Sequence, residues 1–137
     1  MAVVDASVVI KWFAKENYSE EANRLKRAYA DGLIDLNAPC ILPFEVINGL
    51  KYTYSLGEVE LLSISKILED FQINYYNYYD FYEELVSLSL KYGITIYDSA
   101  YVALGKVLND EVYTADEKLL RKVKDLSFVK HIKDFRV

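Results

Sequence analysis

Met1-Ala2-Val3-Val4-Asp5-Ala6-Ser7-Val8-Val9 opens the chain with an apolar run closed by one carboxylate. Val3 and Val4 read as a short buried strand. After Asp5 the period changes. Val8, Val9, Trp12 and Phe13 fall near one face of a helix predicted over 6–15. The same handover recurs near the other end, where a strand over 111–114 meets Asp116 and a short helix. Between them the spacing predicts helices over 19–30, 43–55, 58–71, 80–92 and 98–108. It predicts strands over 33–36 and 72–76, a brief extended piece over 94–96 and a last strand over 128–132. Asp31-Gly32, Leu56-Gly57 and Tyr92-Gly93 are the stops. Asp80 and Asp98 read as helix-opening caps. Strands alternating with helices predict a parallel sheet covered by helices on both faces.

At 137 residues, 53% of them hydrophobic, the chain is long enough for one domain over 1–137 with a sizeable core. No apolar run reaches the roughly 20 residues of a membrane helix. No basic stretch precedes the first apolar residues, which argues against a secretory signal. The single Cys40 has no internal disulfide partner and fits a reducing cytoplasm, as a small buried residue. The net charge of −5 argues against a general polyanion binder. Two divalent cations would offset four of those five charges. Lys118, Arg121, Lys122, Lys124, Lys130, Lys133 and Arg136 make the C-terminal stretch locally basic. That suits a phosphodiester or simply a solvated helix face.

Four acids stand at the handovers: Asp5, Glu45 after Pro43-Phe44, Asp98 after Tyr97, and Asp116 after Thr114-Ala115. Singly, each reads as a cap or a first-turn acid favoured by the helix dipole. Together they gather on the sheet edge where open α/β folds bind ligands. Four carboxylates there repel one another unless a cation sits among them. Hard ions such as Mg²⁺ take carboxylate oxygens and substrate phosphates. Such ions can activate water against a phosphodiester. Ser7, Thr114 and Asn48 lie two or three residues from an acid and fit a supporting shell, or local capping and hydration.

Other chemistries lack their residues. His131 is the only histidine, with no G-x-S-x-G elbow. No Cys/His group fits zinc, and no glycine-rich phosphate loop is present. A haloacid-dehalogenase site wants an acid two residues after the first, where Ser7 stands, and no receiver-type Asp–Lys pair can be placed. Tyr75-Tyr76-Asn77-Tyr78-Tyr79-Asp80-Phe81-Tyr82 holds many of the thirteen tyrosines. It reads as core packing, a protein interface or a base-stacking surface.

Four blocks, in order, resemble the PIN-domain family, and within it the small VapC-type toxins of prokaryotic toxin–antitoxin pairs. They are Val3-Val4-Asp5-Ala6-Ser7, Pro43-Phe44-Glu45-Val46-Ile47-Asn48-Gly49-Leu50, Tyr97-Asp98-Ser99-Ala100-Tyr101-Val102-Ala103-Leu104 and Tyr113-Thr114-Ala115-Asp116-Glu117-Lys118-Leu119. The resemblance implies a three-layer α/β/α sandwich with a mostly parallel five-stranded sheet. It implies an endoribonuclease dependent on one or two Mg²⁺ or Mn²⁺ ions, held by Asp5, Glu45, Asp98 and Asp116 and supported by Ser7, Asn48 and Thr114. It also implies an RNA substrate, a small antitoxin partner and a homodimer. Gly49 departs from the alanine frequent in the family. A housekeeping RNA or DNA nuclease without antitoxin, and a non-catalytic protein-binding module, are the alternative readings.

Overall fold

The computed structural model describes residues 1–137. Strand β1 (Ala2–Val4) is buried along its whole length. The helix expected over 6–15 is shorter: α1 (Ala6–Val9) gives way to a 3₁₀ turn over Ile10–Trp12. That tightening swings Trp12 toward α2 (Ser19–Ala30), where its Nε1 donates to the Ala22 carbonyl (2.9 Å).

The second strand departs from the sequence pattern. The pattern places it over 33–36, but β2 runs Leu36–Pro39. The residues after α2 are spent closing that helix. Gly32 takes φ +74°, and the Leu33 N–H returns to the Ala28 carbonyl (2.9 Å). Leu33 is consequently exposed and the strand starts three residues later. Asn37, buried in mid-sheet, is satisfied by donating to Asp110 (3.0 Å).

Pro43 sits in the first turn of α3 (Leu42–Tyr54), and α4 (Glu58–Phe71) matches its expected span. At Gly49 a Cβ would meet Ile10 Cδ1 at 2.7 Å, so the missing side chain admits the turn after α1. Strand β3 (Asn74–Tyr76) is followed by a 3₁₀ turn over Tyr78–Asp80 and by α5 (Tyr82–Tyr92). Asp80 accepts from the Asn77 N–H (3.0 Å), so it caps the short turn and not α5. Helix α6 (Ile96–Leu108) begins before Asp98, because Thr95 Oγ1 accepts the Asp98 N–H (3.0 Å) and is the cap. Residues 99–105 of α6 are all buried, with Ser99 donating to the Leu85 carbonyl of α5 (2.6 Å). Strand β4 (Glu111–Thr114) lies as expected, followed by α7 (Glu117–Lys122) and β5 (Val129–His131). Cys40, expected inside, is exposed. His131 is buried and structural: its Nδ1 accepts from the Lys133 N–H (3.0 Å), and its ring meets Tyr18 edge-on.

The five strands form one all-parallel sheet in the order β3-β2-β1-β4-β5, the centre of a three-layer α/β/α sandwich. The chain first winds outward through β1, β2 and β3. It then returns through α5 and α6 to lay β4 against the other side of β1, with Val4 opposite Tyr113. Between β1 and β4 the winding reverses, which is where such sheets open a crevice beyond their carboxyl ends. No helix is long and apolar enough to cross a membrane.

Candidate active site

Asp5 follows β1 and Asp116 follows β4, so both flank that crevice. Asp5 occupies a cap position, yet its side chain does not cap α1. Its Oδ2 instead accepts from the Ser7 hydroxyl (2.7 Å) and the Thr114 hydroxyl (2.6 Å). Those hydroxyls in turn accept from the backbone of the β4–α7 turn. The Ala115 N–H donates to Ser7 Oγ (2.9 Å) and the Asp116 N–H to Thr114 Oγ1 (3.0 Å). Each hydroxyl proton is thereby directed at Asp5, which orients a carboxylate 7% exposed. Burial pushes the Asp5 carboxyl above its ordinary range. Thr114 and Ser7 pull it back, and the charges of Asp98 and Asp116 add to the rise.

Glu45 lies in the first turn of α3, half-buried, and Tyr101 of α6 donates to its Oε1 at 2.5 Å. Tyr101 is 1% exposed. Burial raises Glu45, Tyr101 lowers it, and Asp5 and Asp98 raise it further. The phenol itself is driven far upward by burial and by Asp5 and Glu45, so it stays a donor. Tyr101 is absent from the site residues picked out by sequence. Its signal was the spacing: it stands one helical turn beyond Asp98, on a helix otherwise made of core residues.

Asp98 is half-buried, raised by burial and then by Asp116, and drawn back by Thr95, Lys122 and Lys118. Asp116 accepts the Leu119 N–H (3.1 Å) and so does cap α7. Asn48 does not join the acids; it lines an open recess beside Glu45.

Asp98 and Asp116 thus act on Asp5, Asp5 and Asp98 on Glu45, and Asp116 on Asp98, but no three carboxylates converge tightly enough to ligate one ion. The donor set nonetheless fits a hard divalent cation. Asp5 Oδ1, Glu45 Oε2, Asp116 Oδ2 and both Asp98 oxygens accept no hydrogen bond from the chain.

Residues 2–126 match the PIN domain. The chain is 31% identical over 126 residues to Ribonuclease VapC3 of Pyrobaculum aerophilum, covering 88% of this chain and 92% of that one. Its fold is similar to a toxin–antitoxin complex from Klebsiella pneumoniae, with TM-score 0.67 and 20% identity over 90% of this chain and 92% of the other. It is similar also to PAE2754 from Pyrobaculum aerophilum, with TM-score 0.65 and 20% identity over 96% and 89%. By a match that spans nearly its whole length, this chain belongs to the PIN-domain family.

Proposed function

We propose that this chain is a metal-dependent endoribonuclease and the toxin of a VapBC-type pair. The observation that carries the reading is the set of mutually repelling carboxylates around the β1–β4 crevice. A relative named as a VapC ribonuclease supports it. Asp5, Glu45, Asp98 and Asp116 would hold one or two Mg²⁺ or Mn²⁺ ions. Such ions supply activation of water and neutralisation of charge on the phosphate.

The chain's own residues do the positioning. Ser7 and Thr114 fix Asp5 through Oδ2 and leave Oδ1 toward solvent or ligand. Tyr101 fixes Glu45 through Oε1 in the same way. One oxygen of each acid is spent on orientation and the other remains free, the arrangement a supported ligand shell uses. Water attacks phosphorus and the bond to O3′ breaks, leaving 5′-phosphate and 3′-hydroxyl ends. A small antitoxin and a homodimer belong to the same reading. The likeness to the Klebsiella toxin–antitoxin complex supports the antitoxin, and the family resemblance supports both.

The test is RNA cleavage by the purified chain with Mg²⁺ or Mn²⁺, beside EDTA and an Asp98→Asn variant. Cleavage lost in both controls is the expected result. Cleavage that survives EDTA and the variant would sink the assignment.

A further inference from the structure

The recess beside Glu45 has a volume of about 720 Å³, inside the roughly 300–1,000 Å³ of small-ligand sites. Phe44, Ile47 and Asn48 of α3 and Tyr97 of α6 line it, with Lys51 and Glu45 itself. Two features set it apart from ordinary surface. Phe44 is 73% exposed and Tyr97 58%, although each neighbours a site acid in sequence. Exposure of a phenylalanine is the less usual of the two. The polar groups are the second feature. Asn48 presents an exposed amide beside Glu45, and Lys51 one turn on, its ammonium 4.9 Å from the Tyr52 ring, brings a cation to the same recess.

Two aromatic rings, one amide and one lysine ammonium form the combination that takes a flat base, reads its edge and meets its phosphate. A purely apolar partner surface would leave Asn48 and Lys51 buried without bonds, which costs free energy. The recess is also continuous with the acidic site, since Glu45 belongs to both. A base seated there would place its phosphodiester beside Glu45. On α7, Lys118 and Lys122 stand near enough to Asp98 to act on its charge, giving the strand a further basic flank.

We propose that the Phe44–Tyr97–Asn48–Lys51 recess is a nucleobase subsite that seats one unpaired base of a single-stranded RNA next to the bond to be cut. The inference rests on the ribonuclease reading, under which the RNA is single-stranded, and adds to it the residues that would hold a base. A base in a duplex has its faces and edge engaged and cannot enter.

The experiment is fluorescence anisotropy of a fluorescein-labelled single-stranded RNA 12-mer with the full chain, in Ca²⁺ in place of Mg²⁺, alongside cleavage in Mg²⁺. Phe44→Ala and Tyr97→Ala should each weaken binding about 10-fold, as loss of one base stack does. Phe44→Tyr and Tyr97→Phe should restore it, and the same RNA annealed to its complement should bind poorly. Lys51→Ala should lower the salt slope by about one ion. Tyr79→Ala, removing a ring 81% exposed outside the recess, should bind as wild type. Melting curves check that each variant folds. A wild type that cleaves RNA while both alanine variants bind and cleave equally well overturns the subsite and leaves the ribonuclease standing. A wild type that neither binds nor cleaves overturns both. If Phe44→Ala halves the mass by light scattering with RNA affinity unchanged, the face is a protein interface and the proposal is wrong.

Discussion

The β1–β4 edge and the tyrosine segment after β3 are both polar stretches at the carboxyl ends of strands, and they are built in opposite ways. At β1–β4 every side-chain hydrogen bond of Asp5 is to a hydroxyl that is itself held by backbone. After β3, Tyr78, Tyr79 and Tyr82 lean on one another, Tyr78 and Tyr82 stacked at 5.8 Å, and all three remain exposed. A buried charge must be wired to exist at all, whereas exposed rings need only neighbours. Substitutions should therefore be costly at the first edge and nearly silent at the second.

The largest effect is expected for Asp5→Asn. The amide oxygen can still accept from Ser7 and Thr114, so the fold should hold while RNA cleavage falls by about 100-fold or more. Equal turnover in a gel assay would break the comparison at its root. Thr114→Val comes next. It strips a donor from a buried carboxylate and should cost about 1–3 kcal/mol in urea unfolding. Tyr101→Phe should leave the fold nearly intact but weaken Mn²⁺ binding by about 10-fold in calorimetry. An unchanged affinity would reduce Tyr101 to packing.

The fourth expectation concerns pH. Asp5, Glu45 and Asp98 all have folded-state proton affinities raised above the unfolded ones, chiefly by burial. The folded state then binds more protons than the unfolded one, so stability falls as pH rises from the ordinary carboxylate range through the raised values. Glu16 and Glu111, held below the ordinary range by hydrogen bonds and lysines, act in the opposite sense, so the test is the difference: relative to Asp5→Asn, the metal-free wild type should lose melting temperature as pH rises from mild acid to neutral. A slope identical in the variant would show that Asp5 is not strained. The smallest effect belongs to the other region: Tyr79→Ala should shift unfolding free energy by no more than about 0.5 kcal/mol.

Where period and capping agree, the sequence is readable. Helix 58–71 and strand 111–114 are legible to the residue, because a stop and a clean period mark both ends. Strand β2 is misplaced because Leu33 and Ile34 look like strand, while the cost of closing α2 at Gly32 cannot be seen in a window of hydrophobicity. Asp98 reads as a cap although Thr95, an equally good capping residue, stands three positions earlier and takes that role. The four acids can be picked out because each marks a change of period. Tyr101 offers only its place one helical turn beyond Asp98, because its partner Glu45 is 56 residues away and the fold alone brings the two together. Asn48 is placed by the same helical spacing. It is near Glu45 along the helix and lines the same recess, though it makes no hydrogen bond to an acid.

The hydrogen bond from Thr114 to Asp5 joins positions 109 apart in the chain. Its consequence is one of timing. During synthesis Asp5 emerges early, but its hydroxyl partner and Asp116 follow only in the last fifth of the polypeptide. Contacts of such separation form late, after the intervening strands have paired. A nascent chain therefore holds Asp5 without its orienting hydroxyl until β4 has emerged and paired with β1, so the four acids are assembled by the last long-range step of the sheet and not by the first.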